Sequence, residues 1–495
     1  MEKYRKEEAK TLLDLLEQTE ERFRYRTAVD DGSMSLSWHE LAVMARRIGS
    51  GISRSVEPGS PVPVRMEKSA LTLAVMLGAL YAGCFYVPIN PANPAERLEK
   101  ILDKLKPSLV VTEQEAVALL REEVDAERLN RIRADMKESD IQYGIFTSGS
   151  TGTPKAITVS HGAVVRFIRH FVEIFGITEE DCIGNQAPFD FDVSVKDICS
   201  SILTGARLVL IPKEFFSTPP RLLDYLCEKK VTTLIWAVSA LTLVSGLKGL
   251  DYRVPEHVRR VMFSGEAMPP KHLRIWQERL PGAEFVNLYG PTEITCNCTY
   301  YPIGRKFDDG EKIPLGDAFP GRRVFLLDEE RREIAAPGVR GEICVAGESL
   351  AEGYYQDKAQ TEERFIWYPG ENGQEERVYL TGDLGYYDSQ GQLIFAGRKD
   401  FQIKHMGHRI ELEEVENAMT AVDGVMKSCC VFLPEKGRIT AFYMGEAEPS
   451  QIRRQMKEKL PAYMIPSKIR TVPVMPLNKN GKTDRDYFRI MAEKM

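Results

Sequence analysis

For roughly the first 320 residues, short apolar runs alternate with amphipathic segments of helical period, and this alternation constrains the fold more than any other feature. The runs 108-SLVVT-112, 207-RLVLIP-212, 232-TTLIWAV-238 and 284-EFVNLYG-290 are apolar on both faces, as strands buried between helical layers must be. Between them lie segments such as 220-PRLLDYLCEKK-230, a helical pattern with Pro and Arg near its start. From about 322 to 396 the texture changes. Strand-like RVFLLD, GEICVAG and GQLIFAG are separated by Gly- and Asp-rich turns, which predicts a small antiparallel β module. After 397-GRKD-400 the helical pattern returns in 411-ELEEVENAMTAV-422 and 450-SQIRRQMKEKL-460. The expected fold class is α/β, with a large multi-layer N-terminal domain over residues 1–398 that includes the β module. A small, mobile α+β C-terminal domain follows over 399–495, with the break near Lys399-Asp400.

A chain of 495 residues is long enough for about three ordinary folding units. With 43% hydrophobic and 28% charged residues it has the balance of a soluble globular enzyme. A net charge of -6, with Arg259-Arg260 and Arg331-Arg332 set among acids, gives no reason to expect nucleic acid. Nine cysteines lack metal-ligand spacing; Cys296-Asn297-Cys298 has no further ligand nearby, and Cys429 and Cys430 read as strand residues. A reducing cytoplasm is the expected setting. The amino terminus is a charged helix with Leu12, Leu13, Leu15 and Leu16 on its apolar side, without a signal-peptide core. No segment is apolar for long enough to span a bilayer, so neither a membrane nor nucleic acid is an expected partner, and a monomer is expected.

The stretch 146-FTSGSTGTPKAITVSH-161 follows the strand-like IQYGIFTS and returns to apolar structure. Its glycines let successive backbone N–H groups turn toward one point, an anion-binding nest, and its hydroxyls and Lys155 add donors and charge. A surface linker has the same composition. The spacing is not that of a Walker A loop, because Thr153 and Pro154 stand between Gly152 and Lys155.

This stretch resembles the phosphate-loop motif of the acyl-adenylate-forming superfamily, which includes acyl-CoA synthetases, luciferases and nonribosomal peptide synthetase adenylation domains. LSWHEL (36–41), LGALYAGCFYVPINPANPAERL (77–98), NLYGPTEIT (287–295), GEICVAGESLAEGYY (341–355), YLTGDLGYYDSQGQLIFAGRKDFQIK (379–404), GHRIELEEVE (407–416) and NKNGKTDR (478–485) resemble family motifs in the family's order. The resemblance implies that a carboxylate attacks the α-phosphate of ATP, giving an acyl-adenylate and pyrophosphate, before a thiol takes the acyl group. Such chemistry asks for positioned charge around the transferring phosphorus.

By that resemblance Thr147, Ser148, Ser150, Thr151 and Lys155 embrace the β- and γ-phosphates. Tyr289 stacks on adenine, Asn287 lies at the base edge, and Gly265, Glu266 and Ala267 form the segment beside it. Thr292 meets the α-phosphate and Glu293 holds Mg²⁺, a hard cation suited to oxygen ligands. Asp383 accepts both ribose hydroxyls and Arg398 adds a second ribose contact. Lys482 is the catalytic lysine bridging the substrate carboxylate and phosphate; losing such a contact costs on the order of 10²-fold in rate. Asp400 matches the family's hinge, and Gly407 leaves room for a pantetheine arm once the C-terminal domain swings. His405 and His408 read as loop residues.

The segment 189-FDFDVSVKDI-198 bears on the acid activated. In the adenylation domains it resembles, those that use α-amino acids, an Asp at the position of Asp192 pairs with the substrate's ammonium, and a buried carboxylate without a cationic partner is expensive. Phe191 would gate the pocket, lined by Val193, Lys196, Ala240, Met262, Ser264, Leu288, Cys296 and Asn297. Lys196 either pairs with a side-chain carboxylate, as in some glutamate pockets, or reaches out to solvent. The expected substrate is a polar, possibly acidic, amino acid, loaded onto the phosphopantetheine of a separate carrier protein. D-Alanine–carrier-protein ligases are a near neighbour, but they keep a Cys where this chain has Ser264, and Lys196 suits a methyl side chain badly. An acyl-CoA or aryl-acid ligase is the remaining alternative.

Overall fold

The computed structural model describes residues 9–149, 154–370, 373–477 and 483–495. Ser150, Thr151 and Lys482 therefore lie outside the described residues. The chain divides into two compact units: residues 1–90, 107–145 and 157–399, and residues 91–106, 146–156 and 400–495. The second unit takes in the chain from Asp400 onward, and it also contains Thr147, Ser148 and Lys155, which the sequence reading placed in a 1–398 core.

The first unit holds a nine-stranded sheet in the order Asp317–Ala318, Thr299–Pro302, Glu284–Tyr289, Arg260–Ser264, Thr233–Ala237, Cys182–Asn185, Arg207–Leu210, Thr27–Asp30, Ser35–Ser37. The six central strands run parallel, because the segment between consecutive strands is usually helical and returns the chain to the same end. Antiparallel strands close both edges. The period of two sorts side chains between two cores. Ile235, Met262, Val286 and Leu288 face one, and Leu234, Trp236, Val261, Phe263 and Phe285 face the other. The carboxyl ends of these parallel strands bring Asn185, Ala237, Ser264 and Tyr289 to one edge, where open α/β sheets bind ligands.

A second sheet runs in the order Gly353–Tyr354, Lys155–Ser160, Ile141–Thr147, Phe85–Pro88, Pro61–Val64. The expected strand at 108–112 reduces to a single bridge between Val64 and Val111. The β module forms as read: Arg322–Leu327, Gly341–Gly347, Glu375–Tyr387 and Phe365–Pro369 pair antiparallel, and Leu393–Arg398 joins Glu375–Tyr387. The leucines of the amino-terminal helix Leu12–Phe23 are buried, and Thr11 caps that helix in a reciprocal box with Asp14.

In the second unit, strands Val425–Leu433, Arg438–Gly445 and Lys468–Thr471 form a three-stranded sheet with helices Leu412–Thr420, Pro449–Lys459 and Arg485–Glu493. The hairpin Gln402–His405 and His408–Glu411 turns through Met406 and Gly407, at φ +53° and +81°. A two-residue hairpin loop needs left-handed backbone at such positions, so Gly407 answers a turn requirement whatever else it allows. His405 and His408 are strand residues facing each other, not loop residues; His408 stacks on Tyr463. All nine cysteines are buried free thiols. Among the described residues no helix is long and apolar enough to cross a membrane.

Candidate nucleotide and amino-acid site

Asp383 and Arg398 are cross-strand neighbours in the β module, and the register alone brings the guanidinium onto one carboxylate oxygen. The other oxygen accepts the hydroxyl of Tyr289 at 2.6 Å. Burial pushes the Tyr289 phenol well above its ordinary range, so it stays a donor. Asn287, two residues earlier on the strand, donates its amide to the Pro314 carbonyl at 2.8 Å. Gly265 has φ +98°, and a Cβ there would meet no atom within 4 Å, so this turn leaves an open face. Glu266 is half-buried beside it and Ala267 is exposed.

After Tyr289 the chain turns sharply. A Cβ on Gly290 would lie 2.6 Å from Asn297 Cα and 2.8 Å from the Cys298 nitrogen, so only glycine lets the following loop fold back onto the strand. The loop carries Thr292 and then Glu293, which is fully buried and accepts the Tyr354 hydroxyl at 2.8 Å. Thr295 and Cys296 follow with φ +57° and +69°, two successive left-handed residues that are not glycine. Such backbone costs roughly 1–3 kcal/mol per residue and persists where surrounding bonds fix it. Here Thr295 Oγ1 donates to the Ser349 carbonyl at 2.7 Å and the Cys296 thiol donates to the Asp192 carbonyl at 3.2 Å.

That thiol joins the loop to the helix Val193–Thr204, whose first turn carries Lys196. Lys196 does not reach solvent. It is fully buried, and its Nζ donates to Asn297 Oδ1 at 2.6 Å. Burial, and then the charge of Asp192, pushes the Cys296 thiol well up, while Lys196 acts in the opposite sense. Asp192, Val193 and Phe191 are half-buried at the start of the helix. Met262 and Leu288 lie on the same sheet face as these groups, in one core with Cys296. Ala240 does not join them. It packs with Trp236 and Phe263 in the core on the opposite face. Ala237, in register with Ser264, stands at the end of the neighbouring strand instead, and strand alternation was the signal that could have found it.

The second unit holds the described part of the glycine loop. Ser148 is buried; its hydroxyl donates to the Arg409 carbonyl at 2.8 Å and accepts the Glu411 N–H at 3.1 Å. The Gly149 N–H donates to Glu414 Oε2 at 3.2 Å, while Glu414 Oε1 meets Arg97 Nη1 at 2.7 Å. Burial pushes the Glu414 carboxyl up and Arg97 opposes that. The loop amide thus holds an anionic side chain, the kind of group expected of a nest. Thr147 and Lys155 are half-buried, and Gln402 donates its N–H to the Asp400 carboxylate at 3.2 Å.

The family model described as "AMP-binding enzyme" matches residues 16–355, and "AMP-binding enzyme C-terminal domain" matches residues 414–482. The chain belongs to the AMP-binding enzyme family. Surfactin synthase subunit 1 of Bacillus subtilis (strain 168) is 31% identical over 96% of this chain and 14% of its own length. Tyrocidine synthase 1 of Brevibacillus parabrevis is 30% identical over 97% of this chain and 45% of its own. The chain thus spans less than half the length of either relative. Among solved structures, PA1221, described as a nonribosomal peptide synthetase protein containing adenylation and PCP domains, is 26% identical with a TM-score of 0.82 over 97% of this chain and 84% of that one. The Vibrio cholerae adenylation domain AlmE, in complex with glycyl-adenosine-5'-phosphate, has the same fold at TM-score 0.85 and 21% identity, covering 99% of each chain.

Within the AMP-binding family this chain is an amino-acid adenylation domain of the nonribosomal peptide synthetase type, an ATP-dependent, Mg²⁺-using ligase. The residues present suit that cation. Among the described residues no three His, Cys, Asp or Glu side chains cluster to form a metal cage. Mg²⁺ is characteristically held by one or two carboxylates together with substrate phosphates, and Glu293 offers such a carboxylate.

Proposed function

We propose that this adenylation domain activates an amino acid with a polar, and by preference acidic, side chain, and passes the aminoacyl group to the phosphopantetheine thiol of a carrier protein on a separate chain. The carrying observation is Lys196, buried and donating to Asn297 at 2.6 Å. A desolvated ammonium in a substrate pocket favours an anionic or strongly accepting ligand and disfavours a methyl or alkyl one. Asp192 receives the substrate ammonium, a charge that an acid lacking an amine does not offer. For the same reasons the D-alanine and aryl- or fatty-acid readings fit this pocket less well.

In this reading the ribose hydroxyls bind at Asp383 and Arg398, adenine lies between Tyr289 and the open face at Gly265, and Asn287 stands at its edge. Glu266 and Ala267 complete that wall. Thr292 contacts the α-phosphate, and Thr147, Ser148, Ser150, Thr151 and Lys155 contact the outer phosphates. Glu293 carries Mg²⁺, which when bound neutralises charge on the phosphate oxygens. Ser148 and Gly149 give up their bonds to the Arg409 carbonyl and the Glu414 carboxylate when phosphates take those donors. Lys482 bridges the two reacting groups, Asp400 is the hinge, and Gly407 borders the thiol's path.

Amino-acid-dependent ATP–pyrophosphate exchange across L-, D- and β-amino acids, with aryl and fatty acids as controls, tests this. Exchange with one polar or acidic amino acid is expected, and Lys196→Ala is expected to lower kcat/KM for it by about 10²-fold with ATP KM little changed. D-Alanine as sole substrate, or activity with only amine-free acids, overturns the reading.

A further inference from the structure

Two successive residues of the glycine loop are bonded to one stretch of the second unit, residues 409–414. Ser148 lies between the Arg409 carbonyl and the Glu411 N–H, at 2.8 and 3.1 Å, so its hydroxyl is used in both directions. Beside it, the Gly149 N–H donates to Glu414 Oε2 at 3.2 Å. The other oxygen of that carboxylate, Oε1, receives Arg97 Nη1 at 2.7 Å. The Arg97 and Glu414 side chains are 7% and 3% exposed, so salt and water screen the pair weakly. Arg97 sits on the buried face of helix Ala95–Leu105 with Ile101 and Leu105, and helix Pro449–Lys459 packs against that helix. Packing as well as charge therefore fixes where the guanidinium stands.

A loop amide aimed at an anion is what a phosphate-binding nest offers its ligand, and here the chain supplies the anion itself. A phosphate arriving at Gly149 must displace a buried carboxylate, and it meets a like charge until it has done so. A ligand that binds only the displaced form has its affinity lowered by the fraction of molecules in that form. Arg97 holds the carboxylate at the amide; without the charge of Glu414 it would itself face the loop as a cation. A residue that only braced the loop in its binding shape would act in the opposite sense. Removing its charge would loosen the loop and weaken phosphate binding, never tighten it.

We propose that the Glu414 carboxylate is a built-in rival of the outer phosphates: anchored by Arg97, it occupies the Gly149 amide and holds down the affinity of the loop for ATP and for pyrophosphate. This rests on the reading of the glycine loop as the phosphate site and deepens it. Glu414 touches no reacting atom and acts through the loop. Its carboxylate yields to ATP in the adenylating step. As pyrophosphate departs it retakes the amide, which shortens the stay of a product able to reverse the reaction. AMP lacks the β- and γ-phosphates, so this exchange of acceptors does not enter its binding.

Calorimetric titration of the full chain with MgATP, magnesium pyrophosphate and AMP tests this in wild type, Glu414→Gln, Arg97→Gln and Lys155→Ala. AMP binding at the wild-type affinity is the check that each variant is folded. Glu414→Gln is expected to bind ATP and pyrophosphate about 10-fold more tightly, with AMP unchanged. Arg97→Gln, which leaves the carboxylate without its cation, is expected to bind both roughly 5-fold more weakly. Lys155→Ala, expected to weaken both about 10-fold, tests the phosphate-site reading by itself. Affinities unchanged or weaker in Glu414→Gln, with Lys155→Ala weakened, overturn the role of Glu414 and leave that reading standing. Glu414→Gln and Lys155→Ala both at the wild-type affinity overturn both. Should Glu414→Gln fail to fold, Arg97→Gln decides: unchanged or tighter pyrophosphate binding overturns the proposal.

Discussion

At Asp383 both carboxylate oxygens are held by neighbours, Tyr289 and Arg398, and at Glu293 one oxygen accepts Tyr354. A few residues past Glu293 on the same turn, the proposed side-chain pocket is built differently. There Thr295 and Cys296 hold left-handed backbone, and Lys196 is buried with Asn297 as an acceptor at 2.6 Å. The proposed nucleotide end meets the same ligand in every turnover, so groups that hold each other in place lose little on binding it. Mutual satisfaction of that kind carries no information about which amino acid arrives. Discrimination is left to the residues that the strained turn carries beside Lys196.

The contrast breaks most readily at Asp383. Asp383→Ala is expected to reduce exchange by about 10²–10³-fold, mainly through ATP KM, while the ranking of amino acids stays as in wild type. A changed ranking would show that the two ends are not separable. Gly290→Ala sharpens the comparison, because Gly290 lies at the joint. Its Cβ would strike the backbone of Asn297 and Cys298, so the variant is expected to lose about 1–3 kcal/mol of stability and to weaken ATP and amino acid together. Urea unfolding and a two-substrate kinetic grid measure both effects.

The smallest effect concerns a buried polar group remote from this chemistry. His161 is buried, and its Nδ1 accepts the Leu12 N–H at 3.3 Å. Burial, with Arg133 acting in the same sense, pulls its pKa down to about 3 from 6.5. A depressed pKa means the unfolded chain takes up the proton first. The stabilising contribution is whole above about 6.5 and declines as pH falls toward about 3, with a slope of up to about 1.4 kcal/mol per pH unit. His161→Gln should flatten that part of the stability–pH curve while leaving both ends of the site kinetically unaltered.

What was legible in the chain follows the same division. Tyr289, Asn287 and Glu293 stand in one short run, and Asp383 and Arg398 are fifteen residues apart on paired strands, so a local motif carries them. The alternation of apolar runs was enough for the layered α/β sheet and for the antiparallel module after 322. The bond from Lys196 to Asn297 was not legible, because a helix and a turn 101 residues apart in sequence bring the pair together. Ala240 illustrates a different failure. It lies only three residues past Ala237, but the strand gives way to a helix there, and the change of period carries it into the opposite core.

The outer strands of the two large sheets have a consequence for life at high concentration. The nine-stranded sheet ends in Asp317–Ala318, of two residues, and Ser35–Ser37, of three. The second sheet ends in Gly353–Tyr354, also of two residues, and in Pro61–Val64, where Pro61 and Pro63 have no N–H to offer. A foreign strand therefore finds almost no ladder to extend at any of these margins. Two broad sheets, each a template for fibrous stacking if left open, are hemmed by borders too short or too poor in donors to propagate.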